Sequence, residues 1–199
     1  MPASGKSTIA VRISESLGIP MLSKDSIKEV LFDDLGFHSR AEKVQLGTAA
    51  MHILYYAAAQ LMKAGKPFIL KGIMTARGAE KALEAGASGI VVSNHGGRVQ
   101  GCTPATAEVL PAIAKAVKGK VKIFVDGGIR SGVDVFKAIG LGADAVLIGR
   151  PVVPFIYAEG EEGFKVYMDR IVSQLRDTMN MCGTPTLADI GEDNIFIAK

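Results

Sequence analysis

Four short aliphatic runs of this sequence are each followed by polar and glycine residues whose types could do chemistry. The runs span residues 68–70, 89–92, 121–125 and 145–148. The residues that follow them are Lys71, then Ser93-Asn94-His95-Gly96-Gly97-Arg98, then Asp126-Gly127-Gly128-Ile129-Arg130, then Gly149-Arg150. Enzymes built from parallel strands and helices place their sites at the carboxyl ends of the strands, so these segments predict one shared site.

Three of these residues indicate the kind of site. His95 lies in a polar loop rather than on an apolar face, which argues against a buried packing histidine. Arg130 and Arg150 each follow glycines at a strand end, where anion sites form, and surface ion pairs are the alternative interpretation. The segments therefore predict an anion-binding site beside an accessible imidazole.

From about Pro67 to about Ile190, these segments resemble, in order, the C-terminal half of the FMN-dependent α-hydroxy acid dehydrogenases, the family of glycolate and lactate oxidases. The resemblance implies half of a (β/α)8 barrel and FMN as the cofactor. A complete barrel takes roughly 250 residues, and the resembling segment is about half as long. Because half a barrel would supply only part of the flavin and substrate site, we expect FMN or phosphate binding with little or no oxidoreductase turnover.

The resemblance also implies roles for individual residues. Lys71 is expected to place a cation near the flavin N1 and O2 atoms, His95 to act as the general base, and Arg98 to bind the substrate carboxylate. Asp126 is expected to bind ribityl hydroxyls. The cofactor-binding set is Lys71, Ser93, Asp126, Gly127, Gly128, Arg130, Gly149 and Arg150.

A second motif stands at the start of the sequence, where Gly5-Lys6-Ser7-Thr8 matches the second half of the phosphate-binding loop GxxxxGK[ST]. Residues 2–70 resemble small P-loop kinases of the zeta-toxin and gluconate-kinase type, which implies weak binding of ATP and magnesium. The alternative interpretation is a helix start capped by small residues. Because the motif's first glycine, a metal-binding acid and a lid arginine are not identified, we expect no kinase turnover.

The elements that must position these residues follow from the hydrophobic pattern. Each of the four runs comes after a helix-like stretch that ends in glycine, which predicts an α/β fold with a parallel sheet in sequence order. A weaker fifth strand is predicted at residues 19–22. The predicted helices span residues 6–17, 24–35, 40–63, 75–84, 105–117, 132–139 and 163–181.

Composition excludes several classes of protein. The 199 residues carry a net charge of +3 and are 48% hydrophobic, which argues against a disordered chain and against a basic surface for nucleic acid. No apolar run approaches the roughly 20 residues of a membrane span. Two cysteines fit a reduced compartment, so we expect a cytoplasmic protein. We expect no metal site, and a small-molecule ligand as the partner.

The two resemblances meet near residues 66–70 without a linker. We therefore expect one α/β domain over residues 1–199, with a P-loop kinase-like segment at 1–69 and a half-barrel segment at 70–199, in an engineered or recombined chimera. About five strands would form either an open sheet or a half-barrel that forms a homodimer across its inner face. Three functions stay open: a flavin-site protein, a P-loop nucleotide binder, or a scaffold without a ligand.

Overall fold

A computed structural model describes residues 24–97 and 101–196 of the chain. The chain divides into two compact units, Met1–Lys66 and Pro67–Lys199. The single domain expected from the sequence stays a prediction. The P-loop residues 5–8, the predicted helix at 6–17, the predicted strand at 19–22 and Arg98 lie outside the described residues.

The described part of the first unit consists of two helices, α1 (Lys24–Leu35) and α2 (Arg40–Lys63). Both confirm the sequence prediction. The hydroxyl of Ser39 caps α2 by accepting a hydrogen bond from the backbone N–H of Glu42 at 3.2 Å, which satisfies one of the free donors of the first turn. Ala50 is the single buried hydrophobic residue in this part of the unit, so its core is small.

The second unit contains a four-stranded parallel sheet in the order β1-β2-β3-β4. The strands are β1 (Ile69–Ile73), β2 (Gly89–Val92), β3 (Lys122–Val125) and β4 (Ala145–Val146). The helices between and after them are α3 (Ala76–Glu84), α4 (Thr106–Val117), α5 (Gly132–Gly140) and α6 (Val153–Met181). This architecture confirms the predicted α/β fold with a parallel sheet in sequence order.

The bounds of three strands differ from the predicted runs, and β1 and β3 each begin one residue late, at Ile69 and Lys122. Strand β1 continues beyond Leu70, so Lys71 lies within the strand, and its register with β2 shifts between Lys71 and Ile73. The intervening Gly72 has a φ of +93°, a conformation that glycine adopts at little cost. Strand β4 ends at Val146, although the N–H of Leu147 still donates to Val125 O at 2.8 Å.

The core of the second unit lies between the sheet and its helices. Alternate residues of the central strands face this core, because successive side chains of a strand point to opposite faces. Burying one such aliphatic side chain stabilises the fold by about 1.5–3 kcal/mol. The fully buried residues of large volume are Ile90, Val92, Leu110, Ile113, Val117 and Ile123. This packing fixes the strand ends that carry the polar segments.

Helix α6 begins ten residues earlier than the predicted 163, at Val153, and bends at Gly160, which has a φ of +59° and a ψ of −126°. Beyond the bend, a Cβ atom on Gly163 would lie 2.0 Å from Phe155 O. Gly163 therefore allows the two parts of α6 to approach closely. Among the described residues, none of the helices combines the length and the apolar character that a membrane crossing requires.

Candidate functional site

Three predicted residues from successive strands meet at the carboxyl end of the sheet. The ammonium group of Lys71 donates to Ser93 Oγ at 3.0 Å and forms an ion pair with Asp126 Oδ2. Lys71 comes from β1, Ser93 follows β2 and Asp126 follows β3. The side chains of Lys71 and Asp126 are 48% and 21% exposed, whereas Ser93 is 2% exposed. The site therefore combines an accessible cation with a largely buried carboxylate.

The backbone of Asp126 is fixed from two sides. Its N–H donates to Val92 O at 3.1 Å, and its carbonyl accepts a hydrogen bond from Thr106 Oγ1 at 2.6 Å. Asp126 Oδ1 is buried and has no hydrogen-bond partner among the described residues. A buried acceptor without a donor is costly, so a donor from a ligand would stabilise the site.

His95 begins a short 3₁₀ turn, His95–Gly97, which Ser93 and Asn94 connect to the end of β2. Its backbone has a φ of +56°, which residues other than glycine rarely adopt and which costs on the order of 1–3 kcal/mol. Its N–H donates to Ser93 Oγ at 3.1 Å, and the N–H of Gly96 donates to Asn94 Oδ1 at 3.0 Å. These bonds hold the turn in a strained conformation that leaves His95 exposed.

The segment after β3 presents backbone and cationic groups. Gly127 and Gly128 have φ values of +91° and +81°. The N–H of Arg130 donates to Asp134 Oδ2 at 3.0 Å, and its carbonyl accepts from the Tyr167 hydroxyl at 3.5 Å. Burial raises the pKa of Tyr167, so its phenol stays protonated as a donor. Arg130 is exposed and available to an anion.

Arg150 begins the 3₁₀ turn that follows Gly149. Its guanidinium lies beside Gly96, because a Cβ atom on Gly96 would stand 2.7 Å from Arg150 Nη2. The loop that follows β4 is therefore in contact with the loop that follows β2, although β3 lies between these two strands in the sheet.

The structure thus brings together two groups of predicted residues. One group is Lys71, Ser93 and Asp126, and the other is Arg150 with the His95 loop. The backbone of Arg130 is hydrogen-bonded to Asp134 and Tyr167, whereas its side chain is exposed. The sequence placed Asn94 in the predicted site segment without a role, and the structure shows that it holds Gly96. Sequence reasoning missed Thr106, which holds Asp126. The signal for Thr106 was its place at the start of a predicted helix.

An open parallel sheet with cations, a carboxylate and glycine loops at its carboxyl edge defines an α/β protein of the barrel-enzyme type. The chain belongs to the FMN-dependent dehydrogenase family, whose model matches residues 37–197. This match confirms the predicted relation to flavin-dependent hydroxy acid enzymes. It also includes residues 37–69 of the segment that the sequence analysis assigned to a P-loop kinase. The P-loop resemblance and the chimera stay predictions.

Curated relatives and solved structures agree with this assignment. The chain is 46% identical to the peroxisomal (S)-2-hydroxyacid oxidase GLO3 of Arabidopsis thaliana over 129 residues. The aligned region covers 65% of this chain and 36% of the relative. It is 47% identical over 127 residues to an L-lactate oxidase of a Roseobacter strain, covering 64% of this chain and 34% of that protein. The chain spans about a third of the length of these relatives.

Among solved structures, a lactate oxidase of Pediococcus acidilactici superposes with a TM-score of 0.65 and 39% identity, over 70% of this chain and 41% of that one. A mandelate oxidase superposes with a TM-score of 0.61 and 39% identity, over 75% of this chain and 40% of that one. This partial coverage fits a half-barrel.

The described residues fit the cofactor that the family implies. FMN carries ribityl hydroxyls that can donate to the buried, unpartnered Asp126 Oδ1. Its phosphate suits a guanidinium and glycine backbone, both of which lie at the same edge of the sheet. The assignment of individual residues to the cofactor stays a prediction.

Proposed function

We propose that the second unit binds FMN at the carboxyl edge of its sheet, in a site adapted to the oxidation of a 2-hydroxy acid. Lys71, Ser93 and Asp126 would bind the ribityl chain and the ring, and Gly127, Gly128, Arg130, Gly149 and Arg150 the phosphate. The family match and the 2-hydroxy acid oxidases among the relatives support this assignment.

The observation that carries the proposal is the unpartnered Asp126 Oδ1 beside the Lys71 ion pair. A structural ion pair alone does not explain it, because a carboxylate with one buried oxygen left unbonded loses hydrogen-bond energy on the order of 1–3 kcal/mol. A hydroxyl donor from the cofactor would supply the missing bond. Lys71 would at the same time present a positive charge to the ring.

The roles of the chain's own residues follow from their positions. His95 would accept the substrate hydroxyl proton at an imidazole nitrogen, since its exposed side chain projects from a turn fixed by Ser93. Arg98, which lies outside the described residues, would orient the substrate carboxylate through paired hydrogen bonds. FMN, when bound, supplies the acceptor for the two electrons of the oxidation.

A polypeptide of these 199 residues is expected to bind FMN weakly and to turn over slowly. The described part of the second unit has four strands, whereas a closed barrel of this type has eight. The residues proposed to contact the phosphate follow two neighbouring strands, β3 and β4, both of which belong to this unit. Each charge-assisted hydrogen bond to the phosphate contributes about 2 kcal/mol, enough for weak retention. A homodimer across the inner face stays a prediction.

Titration of FMN into the purified protein tests the proposal. Quenching of flavin fluorescence and a yellow colour that co-elutes with the protein are expected for the wild type. Arg150→Ala should weaken binding by about thirtyfold, the effect of losing one phosphate contact worth about 2 kcal/mol. Arg176→Ala, which removes an exposed guanidinium from α6, is the matched control and should bind as the wild type does. Identical curves for both variants, or no binding at millimolar FMN, would contradict the proposal.

The P-loop alternative rests on Gly5-Lys6-Ser7-Thr8 and on the resemblance of residues 2–70 to small P-loop kinases, and retention of ATP without FMN would favour it. Retention of neither ligand would favour a scaffold without a ligand.

A further inference from the structure

The side chain of Arg150 reaches the loop that carries His95, and the residue that it meets there is Gly96. A Cβ atom on Gly96 would stand 2.7 Å from Arg150 Nη2 and 3.7 Å from Arg150 Cζ. The first distance is shorter than a stable contact between carbon and nitrogen allows. Any side chain at position 96 would therefore displace the guanidinium.

The neighbouring glycine separates this effect from the ordinary need for glycine in a turn. Gly96 and Gly97 have φ values of +66° and +70°, so an alanine would suffer the same backbone strain at either position. A Cβ atom on Gly97, however, would meet nothing within 4 Å in the described part of the chain. The two positions share the backbone cost and differ in the contact with Arg150.

The displaced group is the mobile end of a long side chain rather than backbone. Arg150 can rotate away from an added methyl group, so the cost to folding is small while the position of the charge changes. The guanidinium lies beside Gly96, where the loop after β4 approaches the loop after β2. The absence of a side chain at Gly96 thus leaves the space that this charge occupies.

We propose that Gly96 is a positioning residue for Arg150, which keeps the guanidinium at the carboxyl edge of the sheet where it can bind an anion. The inference rests on the proposed function for the identity of that anion, the phosphate of FMN. The placement of Arg150 itself does not depend on it.

The test compares Gly96→Ala with Gly97→Ala. Thermal unfolding should show a similar loss of stability for both, which establishes that both fold. FMN titration should show Kd raised about tenfold by Gly96→Ala and by less than about twofold by Gly97→Ala. In an Arg150→Ala background, Gly96→Ala should change Kd no further, because the residue that it positions is gone. Equal effects of the two alanines, or an effect of Gly96→Ala that persists without Arg150, would overturn the inference.

A ligand-free measurement separates this inference from the proposed function. The Nε–Hε resonance of Arg150, assigned by its loss in Arg150→Lys, should shift clearly in Gly96→Ala and little in Gly97→Ala. If the wild type binds no FMN but this difference is seen, the proposed function fails and the positioning role stands. If the two alanines shift the resonance equally, the positioning role fails whatever the protein binds.

Discussion

The ammonium group of Lys71 contacts the carboxylate of Asp126 across the end of β2, although the residues stand 55 positions apart in the chain. Ser93, at the end of β2, accepts a further hydrogen bond from the same ammonium group at 3.0 Å. Three successive strands thus each contribute one polar group to a single cluster. The parallel order of the sheet is what makes the cluster possible, because it aligns the three carboxyl ends.

Asp126→Asn tests the charge in this cluster. The substitution keeps the shape of the side chain but removes the partner of Lys71, so we expect FMN binding to weaken by about tenfold. The free energy of unfolding should fall by only about 1 kcal/mol, since the pair is partly exposed. Fluorescence titration and urea unfolding measure the two effects.

Asp144→Asn is the matched control for that experiment. Asp144 also pairs with a lysine, Lys122, and its side chain is 29% exposed, but it precedes β4 and lies at the amino edge of the sheet. Stability should fall comparably while FMN binding stays unchanged. An equal loss of FMN binding in both variants would show that the Asp126 effect is structural.

The sequence predicted most of the fold because its elements are marked locally. Strand β2 and helix α2 have the predicted bounds, since aliphatic runs and helical periodicity end at clear stop signals. The start of α6 was missed because Gly160 interrupts the pattern, and the bend is fixed by contacts within the structure.

The site was predicted as a set of residues but not as a set of contacts. Each strand end could be read from the sequence, whereas the Lys71–Asp126 and Gly96–Arg150 contacts depend on strand register and loop conformation. Thr106 was missed for the same reason: its hydroxyl reaches Asp126 O only after α4 packs on the sheet.

The P-loop prediction is tested by Lys6→Ala. Asp126, the one carboxylate that directly follows a predicted aliphatic run, is already paired with Lys71, so we expect no phosphoryl transfer from ATP. The variant is expected to change the free energy of unfolding by less than about 0.5 kcal/mol, the usual range for a substitution that breaks no specific interaction. Phosphoryl transfer that is present in the wild type and absent from the variant would refute this prediction.

Thermal unfolding should show a single transition by circular dichroism and by tyrosine fluorescence. The buried hydrophobic cluster lies wholly within the second unit, and the described part of the first unit buries only Ala50. The described part of that core would not by itself support a separate cooperative transition. Two resolved transitions, one of them assigned to residues 1–66 by its loss on truncation, would contradict the prediction of one domain.

Tyr167 should make stability fall at alkaline pH. Burial raises the pKa of its phenol above the ordinary value of 10.0, so the unfolded chain loses this proton at a lower pH than the folded chain does. The contribution is therefore fully present below pH 10 and is lost as pH rises through the folded pKa. Tyr167→Phe removes the titrating group, and the weak hydrogen bond to Arg130 O that it also removes is long, at 3.5 Å. Urea unfolding between pH 8 and about 11 should show a shallower decline in the free energy of unfolding for this variant than for the wild type.

Tyr157→Phe, at a tyrosine that is 93% exposed, is the control and should follow the wild-type curve. Parallel curves for all three proteins would show that ionisation of Tyr167 does not limit stability.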